Sequence, residues 1–404
     1  MGDAALRTPP NAPPPLPLRV GVIGLGFMGS THVRCYQAAT HAGVACRLDA
    51  VADRDAARLT GTAAVAGNIG TGTPERLFDP RLVRTYSSPP DLIADPAIDA
   101  VSICTYTRSH VDLAIAAIHA GKHVLVEKPV ALDIAEAERL EREAASHPGQ
   151  VCMPAMVMRF WAGWGMVRDA IRAGARVPSD GASLASASAS ERASLTDLGP
   201  LRSLTLTRRG STPAWSPRFY GDLGQTGGAL FDLHVHDADF VLWSLGMPTR
   251  VSTTGDLRHA TTIYRYLGRR TRSSGSGAGV PIHVVAEGGT DHDPAHGFHI
   301  RMTACFEHAT IDFDLGRTPN MLIARNAQAA PALDTSTPEL APFDAEIRAF
   351  VAAALAARAA PAKPAPQPVP IADAVAVLRL LHAEKASMDA GHEVDLASST
   401  LGSP

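Results

Sequence analysis

Residues 20–29 constrain this chain more than any other segment. The apolar run Val20-Gly21-Val22-Ile23 leads directly into Gly24-Leu25-Gly26-Phe27-Met28-Gly29, and the following residues read as a helix. A strand, a glycine turn and a helix in immediate succession open a parallel sheet wound by crossover helices. The three glycines serve different purposes. Gly24 makes the tight turn, Gly26 lets backbone amides approach a pyrophosphate with no Cβ in the way, and Gly29 lets helix and strand pack closely. The helix N-terminus offers free N–H groups and a positive dipole end to the phosphates. Phe27 and Met28, between the last two glycines, belong to the same candidate cofactor contact. The run Leu48–Ala52 ends in Asp53, 24 residues after Gly29, where a carboxylate accepts hydrogen bonds from an adenosine ribose. Because Asp53 would repel a 2′-phosphate, NAD is expected ahead of NADP; Arg54 beside it can soften that preference.

At 404 residues the chain is too long for one ordinary core, and we expect two main domains. Apolar strands alternate with helical patterns up to about Met156: Val101–Cys104 and His123–Val126 as strands with a helix between them closed by Gly121, then a helix from Asp133, then a strand over Gln150–Ala155. After that, strand-like runs follow with no regular helices between them: Leu204–Thr207, Thr261–Tyr266, Ile282–Ala286, His299–Phe306 and Thr310–Phe313. The expected fold class is therefore α/β plus α+β: a doubly wound parallel sheet over 19–156, then an α+β domain over 157–345 with an open, mainly antiparallel sheet. Low-complexity insertions are expected near 176–200 and 268–280. A proline-rich leader occupies 1–18, and C-terminal helices and a tail occupy 346–404, with a proline-rich linker near 361–370. The net charge of −3 gives no basic footprint for nucleic acid or an anionic membrane. Five scattered cysteines without a C-x-x-C pair, and no apolar stretch suited to a signal peptide or membrane span, fit a cytoplasmic protein.

Two further constellations carry chemistry. Glu127-Lys128-Pro129 stands where a sheet strand ends, and ligands of open parallel sheets bind outside the carboxyl ends of the strands. A surface lysine in a proline-forced turn is the bland alternative. The other constellation runs from Gly227-Gly228 through Asp232, His234 and His236 to Leu245. As a strand it would line up Asp232, His234 and His236 as metal ligands. As a helix it has an apolar stripe of Phe231, Val235, Ala238, Leu242 and Leu245, with Asp232 and His236 as i, i+4 neighbours. The stripe is too long for a strand, so a helix is expected, His234 points away, and no metal site is expected. A carboxylate one turn from an imidazole can tune a base; an inconsequential surface ion pair is the alternative.

Taken together, these residues resemble the glucose-fructose oxidoreductase, inositol dehydrogenase and rhizopine-catabolism family (Gfo/Idh/MocA). The resemblance runs from about Arg19 to Leu315 and rests on Gly24, Gly26 and Gly29, on Asp53, on Ala120-Gly121-Lys122-His123-Val124, on Glu127-Lys128-Pro129, and on the Gly-Gly, Asp, His pattern ending in Asp232 and His236. It implies a Rossmann domain, a second domain whose open sheet builds a homodimer or homotetramer, a nicotinamide cofactor, and a sugar or polyol as substrate. It also implies that Lys128, Asp232 and His236 are catalytic and touch substrate, that Thr105, His110 and Glu127 lie near the nicotinamide with Lys128, and that Arg159 contacts substrate at the entrance of the second domain. His234 departs from the family's glycine and Tyr106 from its proline. The activity expected is hydride transfer between a secondary alcohol and the cofactor, with His236 taking the hydroxyl proton, Asp232 orienting its ring and Lys128 stabilising alkoxide character. The other readings are a non-catalytic nucleotide-binding regulator or scaffold, and a metal-dependent hydrolase or lyase built on Asp232, His234 and His236.

Overall fold

A computed structural model of the chain describes residues 16–63, 75–174, 198–214, 216–266, 270–271, 280–331 and 341–396. Nearly all of the expected leader, residues 175–197 of the first insertion and most of the second lie outside the described residues.

The first sheet is built from β1 (Leu18–Ile23), β2 (Cys46–Ala52), β3 (Arg84–Tyr86), β4 (Ala100–Ile103), β5 (His123–Val126) and β6 (Cys152–Pro154). All five pairings are parallel and the spatial order is β3-β2-β1-β4-β5-β6. That order reverses between β1 and β4, which opens a crevice beyond their carboxyl ends. These strands read as unbroken apolar runs because helices cover both faces: Val20, Val22, Ile23, Ala100, Val101 and Ile103 are all fully buried. The helices are α1 (Phe27–His41), α2 (Pro89–Ala94), α3 (His110–His119) and α4 (Ile134–Ser146). Gly121, at φ 76°, lies just past the end of α3, and the Asp133 side chain caps α4 by accepting from the amides of Ala135 and Glu136. The strand expected over Gln150–Ala155 is shorter, Cys152–Pro154.

From Met156 a helical turn and α5 (Ala162–Gly174) lead to the second sheet. Its strands are β7 (Leu201–Arg209), β8 (Arg250–Gly255), β9 (His259–Arg265), β10 (His283–Gly289), β11 (His299–Phe306), β12 (Thr310–Asp314), β13 (Met321–Arg325), β14 (Gln328–Pro331) and β15 (Val394–Asp395). The order is β14-β13-β12-β11-β7-β10-β9-β8-β15, and only β7 with β10 is parallel. Leu204, Leu206, Met302, Ala304, Ile311 and Phe313 alternate inward, while Thr205, Thr207, Arg301 and Thr303 face out. The sequence reading missed β8, β13, β14 and β15 of this sheet: Arg250–Gly255 and Met321–Arg325 have weak alternation, and their partners are supplied by neighbouring strands. Within the expected second loop, Arg270–Thr271 pairs with Val280–Pro281 as a small ribbon.

Between β7 and β8 lie α6 (Gly228–Asp232) and α7 (Val235–Leu245). The apolar stripe predicts one continuous helix here; the chain breaks it at Leu233-His234. After β14, α8 (Ala341–Ala359) packs against α1 of the first domain, and α9 (Ile371–Ala390) packs on α4, α7 and β8. The C-terminal helices thus join both lobes around a contiguous apolar core. Among the described residues no helix is long and apolar enough to cross a membrane.

Candidate active site

The glycine turn follows β1, and the protein itself explains two of its glycines. Gly24 has φ 88°, and a Cβ there would lie 2.7 Å from the Cys104 carbonyl oxygen; a Cβ on Gly29 would lie 1.7 Å from the Gly24 carbonyl. At Gly26 a Cβ would meet nothing nearer than Arg58 Nη1 at 4.0 Å. The protein leaves that face open, as a cradle for a phosphate requires. Asp53 stands directly after β2, its Oδ2 accepting from the Leu25 amide at 2.6 Å and its Oδ1 from the Asp55 amide at 2.8 Å, so it braces the turn as well as edging the crevice. The cation beside it is Arg58, 3.3 Å from Oδ2, whereas Arg54 is exposed. Sequence spacing favoured Arg54 because it is adjacent; Arg58 reaches back from the next turn.

Beyond β4 and β5, the expected nicotinamide neighbours divide into two groups. Thr105 Oγ1 shares a hydrogen bond with Ser109 Oγ at 2.8 Å. His110, 1% exposed, places Nε2 2.9 Å from the Thr105 carbonyl and Nδ1 3.0 Å from the Pro129 carbonyl, so it ties two loops together rather than facing the cleft. Burial holds its pKa below the ordinary histidine value. Glu127 is buried; burial pushes its pKa up, but His32 at 3.1 Å and Lys128 more than offset that, so it stays a carboxylate. Its other oxygen accepts from the Lys128 amide at 3.1 Å, and His32 Nδ1 lies 3.4 Å from Cys104 Sγ. Glu127 therefore lines the cleft as a brace for Lys128. The Lys128-Pro129 bond is cis.

Lys128 reaches across to the second domain. Its Nζ donates to the Asp232 carbonyl at 2.5 Å and to Asp232 Oδ1 at 3.1 Å. This corrects the expected pairing of Asp232 with His236: because α6 ends at Asp232, the carboxylate turns to the lysine. His236, one residue into α7, lines the same cleft, and burial, Lys128 and Arg208 together depress its pKa well below the ordinary value. These influences favour the neutral imidazole and make it a weaker base than a free histidine. His234 faces the other way, fully buried, with Nε2 3.0 Å from Glu384 Oε2 and 3.1 Å from the Tyr264 hydroxyl, so Asp232, His234 and His236 do not converge.

Arg159 is corrected too. It lies outside the cleft lining: its guanidinium grips Asp239 at 2.6 Å and Asp373 at 2.5 Å, joining α7 to α9 as a buried structural cation. Nothing in the sequence signals those partners, which come from 80 and 214 residues away.

The cleft holds about 130 Å³ of space accessible to water and opens to solvent. Phe27 and Met28 of the glycine turn, Lys128 and Glu127 line it from one domain, and Asp232, His236, Arg208 and Phe298 from the other. The sequence reading missed Arg208, held bidentate by Asp237 at 3.0 and 3.1 Å, and Glu346 of α8. Glu346 is 1% exposed, has no hydrogen-bond partner on either oxygen among the described residues, and its pKa is raised well above the ordinary carboxylate value by burial and by Glu127. Neither residue belongs to a local motif. Tyr106 stacks on Phe219 at 4.2 Å between ring centroids, and Arg108 donates to the Gly224 carbonyl at 2.8 Å, linking the lobes at the rim.

Comparison with known proteins agrees with this fold. Residues 18–155 match the family model described as "Oxidoreductase family, NAD-binding Rossmann fold", and residues 189–297 match the "GFO/IDH/MocA C-terminal domain". The chain is 34% identical to inositol 2-dehydrogenase 1 of Saccharopolyspora erythraea over 39% of this chain and 42% of that protein. It is 27% identical to myo-inositol 2-dehydrogenase of Thermotoga maritima over 62% of this chain and 65% of that one, so each match spans less than two thirds of the relative. The fold is similar to that of a levoglucosan dehydrogenase solved in complex with NADH (TM-score 0.68, 19% identity, 94% of this chain and 99% of that chain). It is also similar to an apo scyllo-inositol dehydrogenase from Lactobacillus casei (TM-score 0.65, 17% identity, 95% and 99%). With both domain models matched in order along the sequence, the chain belongs to the GFO/IDH/MocA family of oxidoreductases with an NAD-binding Rossmann fold.

Proposed function

We propose that this protein is an NAD-dependent dehydrogenase acting on a secondary alcohol of a sugar, cyclitol or related polyol. The observation that carries the reading is the Lys128–Asp232 pair, which spans the two domains beside His236 and within the cleft that holds Phe27 and Met28. Gly24, Gly26, Gly29 and Asp53 would hold the dinucleotide, and Gly26 fits that role because the protein supplies no other reason for its missing Cβ. When bound, the nicotinamide supplies the hydride acceptor. Lys128 donates a hydrogen bond to the carbinol oxygen and stabilises its developing negative charge. His236, neutral and depressed in pKa, accepts the hydroxyl proton. Asp232 fixes Lys128 rather than the imidazole ring, so its contribution is to aim the ammonium. Glu346 offers both a donor and an acceptor to a ligand group in the cleft. A homodimer or homotetramer built on the outer face of the second sheet belongs to the same reading, as does residence in the cytoplasm.

The test is a steady-state screen with NAD and NADP against cyclitols, aldoses and anhydrosugars. Turnover of at least one polyol, faster with NAD, is expected. Absence of turnover with every polyol, in a protein that still binds NADH, would overturn it.

A further inference from the structure

Away from the cleft, the segment after β10 brings histidines and carboxylates together. Asp291 Oδ1 lies 2.9 Å from His259 Nδ1 and 3.3 Å from His292 Nδ1. We propose that His259, Asp291 and His292 form a binding site for a divalent transition metal of the zinc class.

Four observations support it. The three ligand atoms lie within 4.8 Å of one another, and the two short separations approach the ~3.3 Å edge of a tetrahedron with bonds of about 2.0–2.1 Å. The second nitrogen of His259, Nε2, faces Glu287 Oε1 at 2.9 Å, and Glu287 is itself paired with Arg209. A carboxylate on the far nitrogen fixes the tautomer that presents Nδ1 to a metal. Among the described residues His292 Nδ1, which faces Asp291 Oδ1 at 3.3 Å, is buried without a hydrogen bond. Gly289 lies under the cluster at ordinary φ: a Cβ there would stand 2.9 Å from His259 Nδ1 and 3.1 Å from Asp291 Oδ1. An imidazolium clasped between Glu287 and Asp291 would account for His259 alone; it leaves His292 unexplained. His296 stacks on His292 at 4.9 Å between ring centroids.

Borderline nitrogen and oxygen ligands suit Zn²⁺ rather than Ca²⁺ or Mg²⁺, which take oxygen sets. With three protein ligands the fourth position is left for water. A metal here would staple the 290–297 segment to β9, and that segment continues into Phe298, whose ring lines the cleft. The proposal does not depend on the dehydrogenase reading.

Full-length protein stripped with a chelator is titrated with ZnCl₂ by calorimetry and with CoCl₂ by visible absorption. One Zn²⁺ per chain is expected, with tetrahedral Co²⁺ bands. His292→Ala and Gly289→Ala should each weaken binding at least tenfold, and Glu287→Gln by about 10- to 100-fold, all with unchanged circular dichroism in the metal-free state. No binding, or binding that His292→Ala and Gly289→Ala both leave intact, would overturn the proposal.

Discussion

Lys128 and Glu346 occupy one cleft in opposite electrical states. Lys128 is a cation aimed by Asp232, so removing it deletes a donor to the oxygen on which charge develops. Lys128→Ala should lower kcat by about 10²- to 10³-fold while NADH affinity, measured by fluorescence titration, stays within a few-fold. Unchanged kcat would contradict the role. Glu346, by contrast, is buried with no hydrogen-bond partner among the described residues, and burial and Glu127 push its pKa well above the ordinary carboxylate value, which favours the protonated form. In the unfolded chain it ionises near its ordinary value of 4.5. A folded pKa raised above the unfolded one contributes stability below the unfolded value and loses it as pH climbs toward the folded value. Wild-type protein should therefore fall behind Glu346→Gln by up to ~1.4 kcal/mol per pH unit above about pH 4.5. Urea denaturation of both proteins at acid and neutral pH checks this; a parallel pH profile would count against it.

The break between α6 and α7 is the element on which the site turns. A continuous helix would have stacked Asp232 on His236; ending α6 at Asp232 sends the carboxylate to Lys128 and buries His234 against α9. There Glu384 accepts from the Tyr264 hydroxyl at 2.8 Å and pairs with His234 at 3.0 Å. Burial pulls the His234 pKa down and Glu384 pulls it up more, for a net rise. Removing one partner leaves the other charge buried, so His234→Ala should cost about 3–5 kcal/mol in chemical denaturation. A loss below about 1 kcal/mol would show that the pair is not holding the break. The apolar stripe of Phe231, Val235, Ala238, Leu242 and Leu245 made the helix legible. The break was not, because the partner of His234 at that point, Glu384, lies about 150 residues away.

At the scale of the whole molecule, the two lobes meet along a rim where Tyr106 stacks on Phe219, and behind it where α8 returns to α1. Stacked aromatics contribute ~0.5–1.5 kcal/mol, so Tyr106→Ala should raise KM for the polyol by about 2- to 10-fold with little change in kcat. An unaltered KM would mean the rim does not steady the closed cleft. The glycine turn, Asp53, Lys128, Asp232 and His236, and the alternation of helices and strands, were all legible in the sequence. The glycine turn and the alternation are local patterns imposed by backbone sterics and periodicity, whereas Lys128, Asp232 and His236 were marked by the end of a strand and by the family resemblance. Which charge faces which was not: Arg58 beside Asp53, Asp239 and Asp373 on Arg159, and Glu346 in the cleft are pairings that no local motif announces. Sequence by itself determined the family of folds and the chemistry available at the crevice. Tertiary structure decided the partners of each buried charge, because burial makes an unpaired charge costly and only the folded chain brings distant residues within reach.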